Sequence, residues 1–360
     1  MNTISFSGAV LTVCTACTGC AGTKIHSASA EMSLVQTEGR VGIYQNIAEI
    51  YWPGSGATAT FKGSLIKAVL QDERGHNYFN VVIDDSLVNV IRIDTAKSTY
   101  LLASGLLPGK HTVKLLKRAD WFRGKTTFFA FETDGKFKEN DHTPRRAIEF
   151  YGNSVTVGAA VEDYRHDSGD STYTNNFRSY AAITARHFNA AYSCIASSGI
   201  GLMVSWGSLI MPEIYNRLNP ADSTSQWNFA AFQPGIVVIN LLQNDQALVN
   251  LPDHPQFKRR FGNHPPDKSA IILSYKNFVL RLRQHYPDAD IICTLGSMDV
   301  VQKGSEWPGY MRTAVEELKD PKIFTYCFAY KNTPGHPKTA EQRQMAEELI
   351  AFIKTHIGWQ

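Results

Sequence analysis

The sequence predicts an all-β sandwich followed by an α/β domain built on a parallel sheet. Three observations predict this order. Between about residue 39 and residue 137, short segments alternate apolar and polar residues, with no convincing amphipathic helix. A polar, proline-containing stretch, KENDHTPRR at 138–146, then interrupts the pattern. Beyond it, strand-like apolar runs alternate with helical stretches, as expected of a parallel sheet with helices on both faces. The composition agrees: among 360 residues, 43% are apolar and 19% charged, which excludes disorder. A net charge of +3 is too small for a nucleic-acid footprint, and no apolar run is long enough to cross a membrane.

The chain opens with ISFSGAVLTVCTA at 4–16, an uncharged, largely apolar run suited to a secretory signal. Small residues and Cys20 follow, and the stretch resembles a bacterial lipoprotein signal whose cysteine is lipidated. Cys17 stands where Leu is usual, and no Lys or Arg precedes the apolar run. Residues 1–22 therefore read as a leader that holds Cys14, Cys17 and Cys20, with Cys20 as the candidate lipid site. Residues 23–38 read as a tether outside the folded domains. The expected location is outside the cytoplasm, secreted or held at a bacterial cell envelope, with membrane contact only through that anchor.

The sandwich is expected to span residues 39–140. Its clearest strands are 57–63, 78–84 and 109–117, divided by turns such as Pro53-Gly54, Arg74-Gly75 and Pro108-Gly109. In the last strand the basic residues alternate with Val113 and Leu115, so Lys62, Lys110, Lys114, Lys117 and Arg118 read as a solvated basic face. The second domain is expected over residues 146–360. Its strands are expected at 147–151, 192–196, 236–242, 291–295 and 323–328, and its helices at 180–188, 274–285, 307–318 and 340–356. Thr339 and Gln342 form a candidate capping box for the last helix. Cys194, Cys293 and Cys327 fall in core strands and read as buried free thiols.

Ligands of parallel α/β sheets bind outside the carboxyl ends of the strands. Four residues follow strand ends here: Ser154 in Gly152-Asn153-Ser154, Gly199 in Ser197-Ser198-Gly199, Asn244 in Gln243-Asn244-Asp245, and His336 in Pro334-Gly335-His336. A nucleophile, its base and donors for an oxyanion are the parts required for acyl transfer. The set resembles the SGNH hydrolase superfamily, which implies a three-layer α/β/α fold. By that resemblance Ser154 is the nucleophile and His336 the base. The Ser154 and Gly199 N–H groups and the Asn244 side-chain amide are the oxyanion donors. With the preceding sandwich, expected to be jelly-roll-like, the chain resembles carbohydrate esterase family two. The resemblance is carried in order by Gly39-Arg40-Val41, Tyr51-Trp52-Pro53-Gly54, Phe61-Lys62-Gly63, Ser198-Gly199-Ile200-Gly201, Met211-Pro212-Glu213-Ile214-Tyr215 and Val237-Val238-Ile239-Asn240-Leu241. It implies a serine esterase that removes acetyl groups from acetylated plant cell-wall carbohydrate, xylan or glucomannan, with no metal or organic cofactor and no nucleic-acid partner.

A literal Gly169-Asp170-Ser171 lies in the polar stretch YRHDSGDSTYTNN and follows no strand, so Ser154 is preferred over Ser171. The sequence departs from the family at three places. Asn153 replaces an aspartate, Gln243 replaces a common glycine, and Thr333 and Pro334 stand where relatives carry an acid just before the histidine. The expectation is a Ser–His dyad in which His336 Nδ1 donates to a backbone carbonyl or to Asn332. Trp206, Tyr215 and Trp307 are candidate sugar-stacking residues, and Asp245 reads as structural. The segments Pro252-Asp253-His254-Pro255 and Asn263-His264-Pro265-Pro266 fit no zinc spacing and read as a loop bordering the cleft. Two other readings remain: an SGNH esterase or lipase of different acyl specificity, and a carbohydrate-binding protein with impaired catalysis.

Overall fold

The structure, a computed structural model, describes residues 25–30, 33–139 and 144–360. The leader cysteines Cys14, Cys17 and Cys20 lie outside the described residues. Twelve strands form the first domain: β1 (His26–Ser29), β2 (Val35–Glu38), β3 (Val41–Tyr44), β4 (Ile47–Ile50), β5 (Gly56–Lys62), β6 (Leu65–Asp72), β7 (Tyr78–Ile83), β8 (Ser86–Arg92), β9 (Ser98–Ser104), β10 (Lys110–Lys117), β11 (Thr126–Thr133) and β12 (Lys136–Lys138). They pair antiparallel in two sheets. One runs β3-β4-β11-β6-β9 with β1 also on β11; the other runs β12-β5-β10-β7-β8 with β2 also on β5.

Alternation explains the core between the sheets. Ile66, Ala68 and Leu70 of β6 face Val113 and Leu115 of β10, Phe61 and Phe79. Phe128 and Phe131 of β11 would point to opposite faces of an unbroken strand. A register shift between Phe128 and Ala130 brings both inward, where their rings meet edge-on at 4.7 Å.

Two expectations for this region are corrected. The tether at 23–38 is part of the sandwich where it is described, because β1 pairs with β11 and β2 with β5. The basic face is also incomplete. Lys117 is wholly buried and donates from Nζ to the carbonyls of Tyr51 (2.8 Å) and Gly124 (2.7 Å). Burial pushes its ammonium down to about 7. Arg118 is buried too, against the second domain. Period-two reading assigns faces but not which end of a strand another domain covers.

The second domain has five parallel strands: β13 (Arg146–Gly152), β14 (Ala190–Ala196), β15 (Ile236–Asn240), β16 (Asp290–Leu295) and β17 (Ile323–Cys327), in the order β14-β13-β15-β16-β17. Its helices are α1 (Ser154–Val157), α2 (Tyr180–His187), α3 (Met211–Ile214), α4 (Gln243–Val249), α5 (Pro255–Phe261), α6 (Lys268–His285), α7 (Trp307–Leu318) and α8 (Thr339–His356). Phe278 and Leu282 of α6 and Met311 of α7 cover one sheet face through Ile239 and Cys293. Tyr180 of α2 and Met345 and Leu349 of α8 cover the other through Phe150 and Val238. This is the expected α/β layering behind an antiparallel sandwich.

Several local expectations change. α6 begins six residues before the expected 274, capped by Asp267, whose side chain accepts from Ala270 N. α5 occupies part of the expected cleft loop, with Pro255 in its first turn. The cap of α8 is not Thr339 with Gln342: Glu341 accepts from Lys338 N, at 2.7 Å. Gln342 is instead buried and joins α2 to α1, accepting from Tyr180 N and donating to Val155 O. Cys194 and Cys293 are buried as expected, but Cys327, on the edge strand β17, is only half-buried.

The two domains share a buried polar joint. Arg40, just before β3, and Glu149, in the middle of β13, are both fully buried and lie 3.1 Å apart. Glu149 also accepts from Tyr151, Tyr286 and Ser193, while Arg40 reaches the carbonyl of Tyr215 and the hydroxyl of Tyr151. The aromatic rings of Trp227 and Phe229 lie over its guanidinium. Removing one partner strands the other charge, which costs about 3–5 kcal/mol, whereas removing both is far milder. Arg40→Met should therefore lower unfolding stability in urea by about 3–5 kcal/mol, and Arg40→Met with Glu149→Leu should lose less than Arg40→Met alone. Equal losses in the two variants would show that the pair does not carry the joint.

Candidate active site

Strand order fixes the location. β13 is flanked by β14 on one side and β15 on the other, so the chain direction across the sheet reverses at β13. Register aligns the ends: Gly152 pairs with Ala196 on one side and with Asn240 on the other. Ser154, Gly199 and Asn244 therefore emerge at one edge of the sheet, two to four residues beyond these aligned positions.

Ser154 opens α1 and is 7% exposed, sheltered but reachable. The preceding Asn153 is buried, and its Oδ1 accepts from Val155 N at 3.1 Å, so the cap that an aspartate would supply is retained. Its Nδ2 is buried and has no hydrogen-bond partner among the described residues. Ser154 Oγ lies 2.9 Å from His336 Nε2.

The other ring nitrogen corrects the expected dyad. His336 Nδ1 lies 2.9 Å from Oδ2 of Asp167, not against a backbone carbonyl, and exposed Asn332 makes no hydrogen bond to it. With the Nδ1 proton donated to this carboxylate, Nε2 is the acceptor for the Ser154 hydroxyl. Asp167 comes from the polar stretch that holds Gly169-Asp170-Ser171. Its other oxygen accepts from His336 N (2.9 Å) and from Lys338 Nζ (2.7 Å). Partial burial works against the charged carboxylate, but the bonds from His336 and Lys338 win and hold it well below the usual range.

Two local features allow the approach. Asp163 folds the loop by accepting from the N–H groups of Arg165, His166 and Ser168. Gly335 has φ +72°, and a Cβ there would lie 2.6 Å from the Asp167 carboxyl carbon. The sequence gives only a faint signal for this acid: a glycine beside the histidine and an aspartate-rich loop far upstream. The nearby Ser171 hydroxyl is donated to the carbonyl of His76, so this serine is a structural member of the loop.

Asn244 is held from both ends of its amide. Nδ2 donates to Ile200 O at 2.7 Å, and Oδ1 accepts from Trp206 Nε1 at 3.1 Å. The second Nδ2 hydrogen is left over. Gly199, with φ +76°, lies in the turn beside it, and a side chain there would press on Trp206. The N–H groups of Ser154 and Gly199 donate to no group among the described residues. Asp245 is buried, and burial raises its carboxyl above the usual range despite bonds from Leu202, Met203 and Val204 N–H groups. It shapes the loop after β14, as expected of a structural residue. Gln243 accepts from Val300 N and so ties α4 to the segment after β16.

The three aromatic candidates divide. Trp206 is 48% exposed beside Gly199 and Asn244, with its ring edge-on to His254 at 5.3 Å. Tyr215 and Trp307, each 8% exposed, pack in the hydrophobic cluster on the α6 and α7 face. His254 caps α5, its Nδ1 accepting from Gln256 N. A cavity of about 700 Å³ lies between the domains beside Thr37, Phe177, Arg186 and Trp227, and none of the four strand-end residues lines it.

A sandwich joined to a parallel sheet with Ser, Gly, Asn and His at its strand ends defines an SGNH-type hydrolase fold. Solved structures of low identity share it, including a GDSL-like lipase from Bacteroides ovatus at 13% identity and TM-score 0.61, covering 94% of this chain and 99% of that one. Residues 37–139 match the Carbohydrate esterase 2 N-terminal family. A family two carbohydrate esterase from Clostridium thermocellum, solved with cellohexaose, is 30% identical with TM-score 0.80, over 91% of this chain and 100% of that one. The chain belongs to carbohydrate esterase family two. It is also 24% identical to an acetylxylan esterase / glucomannan deacetylase of Cellvibrio japonicus, over 93% of this chain and 92% of the relative. It is 31% identical to the cellulase/esterase CelE of Acetivibrio thermocellus, covering 86% of this chain but 38% of that longer protein.

Because Asp167 is held below its ordinary value, its bonds contribute stability that is complete above the usual carboxylate range. That contribution is lost as the pH falls through the folded value. The thermal midpoint of Asp167→Asn should therefore lie below wild type near neutral pH, and the gap should begin to narrow only as the pH falls below the usual carboxylate range, towards the lowered folded value. A gap that persists unchanged into acid would contradict this.

Proposed function

We propose that this chain is a serine esterase that removes O-acetyl groups from plant cell-wall polysaccharide of the xylan or glucomannan type. The single observation that carries the reading is the hydrogen-bonded series Ser154–His336–Asp167, at 2.9 Å for each contact. The substrate class rests on the Cellvibrio japonicus acetylxylan esterase / glucomannan deacetylase and on the cellohexaose complex of the Clostridium thermocellum relative.

In the proposed mechanism, His336 Nε2 takes the Ser154 proton as Oγ attacks the acetyl carbonyl. Asp167 holds the Nδ1 proton and stabilises the imidazolium that forms. The oxyanion is met by the N–H groups of Ser154 and Gly199 and by the spare Nδ2 hydrogen of Asn244. His336 then protonates the departing sugar oxygen. A water, deprotonated by the same nitrogen, attacks the acetyl-enzyme and releases acetate. Trp206 is the candidate platform for the sugar ring. The connected series favours ester cleavage over a role in binding alone.

Export supports the same reading, since the polysaccharide is outside the cell. We place the protein outside the cytoplasm, secreted or anchored through Cys20, on the strength of the uncharged run at 4–16 and the small residues before that cysteine. Among the described residues no helix is long and apolar enough to cross a membrane.

Acetate release from acetylated xylan and glucomannan tests the activity. Ser154→Ala should lower kcat by about 10⁵-fold or more, and Asp167→Asn by about 10²–10⁴-fold. Wild-type protein that releases no acetate from these glycans or from an aryl acetate would overturn the reading. If Cys20 is the anchor, Cys20→Ala should move the protein from the detergent-phase membrane fraction to the soluble one. An unchanged partition would remove the anchor.

A further inference from the structure

The sandwich enters the active site through one segment, residues 118–123, between β10 and β11. Asp120 in this segment is 4% exposed, and both of its oxygens are given to one residue of the other domain. Oδ1 accepts from Ser198 N at 2.6 Å, and Oδ2 accepts from Ser198 Oγ at 2.9 Å. The adjoining Trp121 donates from Nε1 to Ser197 Oγ at 3.0 Å. Ser197 and Ser198 immediately precede Gly199. Among the described residues no cation pairs with Asp120 at salt-bridge distance. The Nζ of nearby Lys117 donates instead to two backbone carbonyls. A buried carboxylate is costly to keep unless its bonds are specific. This one is fully spent on the turn that presents the Gly199 N–H.

We propose that Asp120 is a positioning residue for ester hydrolysis, supplied by the sandwich, which fixes the Gly199 N–H of the oxyanion site through its two bonds to Ser198. The proposal rests on the esterase reading above. Gly199 is otherwise held on its far side, where its carbonyl accepts from Trp206 N at 2.9 Å and Asn244 fixes the carbonyl of Ile200. On the near side Ser197 N donates to Gly152 O at 3.2 Å, which ties the turn to β13, and Ile200 N donates to Ser197 O at 3.3 Å across the turn, while the Ser198 N–H is held by Asp120. Without Asp120, the N–H at position 198 loses its buried acceptor, and the bond from Ile200 N to Ser197 O alone restrains the turn against rotating the following N–H away from the oxyanion. The same segment steadies the opposite wall. Arg118 Nε donates to Thr174 O (3.1 Å) and Nη2 to Thr172 O (3.0 Å), and Arg123 reaches Gly169 O. Both catalytic loops therefore lean on one sandwich segment, and Asp120 is the part aimed at the oxyanion side.

The test is steady-state hydrolysis of an aryl acetate by full-length wild type, Asp120→Ala, Asp120→Asn and Ser198→Ala. It is paired with inhibition by a small boronic acid that mimics the tetrahedral intermediate. Losing one oxyanion donor lowers rates about 10²–10³-fold. Asp120→Ala should accordingly lower kcat about 10–10³-fold, with KM within about twofold, and boronate affinity should fall alongside kcat/KM. Asp120→Asn retains an acceptor for Ser198 N and should recover most of the loss. Ser198→Ala retains the backbone bond, guards against misfolding of the Asp120 variants, and should lose less than about tenfold. Wild-type kcat in folded Asp120→Ala, a loss confined to KM, or boronate affinity that does not follow kcat/KM would overturn the proposal while the esterase reading stands. If the Asp120 variants do not fold, a Ser198→Ala enzyme with unchanged kcat and unchanged boronate affinity would overturn it, and a parallel small loss in both would support it. A wild type without activity would overturn the esterase reading and this proposal together.

Discussion

An imidazole can take a proton from a serine only while one ring nitrogen is bare and aimed at the hydroxyl. Asp167 imposes that state on His336, and much of the second domain's irregular structure serves this contact. The acid is not carried on the histidine's own loop. It arrives from the long connection between α1 and α2, so two loops must meet at one place. Gly335 makes room for the carboxyl group, Asp163 folds the loop behind it, and Lys338 shares the charge. The same Lys338 leads into α8, so the helix that completes one face of the sheet also positions the acid's counter-charge.

The sandwich is more than a neighbour. Arg40 enters the core of the second domain and meets Glu149 in its first strand, β13, so neither domain has its full set of buried polar partners alone. Around the site, Arg118, Asp120 and Trp121 take hold of the loops on either side of Ser154. The connection 158–179 has no regular structure beyond short single-turn helices at Ser171–Tyr173 and Asn176–Arg178. Anchoring it to a rigid sheet domain is a physical means of holding Asp167 still.

The regular parts of this molecule were legible because their patterns are local. The five parallel strands follow apolar runs, and the strand-end rule brings Ser154, Gly199, Asn244 and His336 to one edge. What escaped was set by tertiary contact. Lys117 and Arg118 look like a solvated face until the second domain covers them. Asp167 has no local signal because the family pattern carries its acid beside the histidine, whereas this fold delivers one from 169 positions earlier. The polar stretch around Gly169-Asp170-Ser171 carries the acid that the histidine's own loop lacks.

The central claim is that Asp167 holds the His336 Nδ1 proton while Nε2 faces Ser154. Proton NMR of the full chain tests it most directly, by following the strongly downfield resonance of an imidazole N–H bonded to a carboxylate. His111 Nδ1 also faces a carboxylate, Asp84 at 2.7 Å, so the resonance that reports on the site is the one lost in His336→Ala. The account predicts that this resonance is retained in Ser154→Ala and lost in Asp167→Asn, and its survival in Asp167→Asn would contradict the account and return the His336 Nδ1 proton to another acceptor.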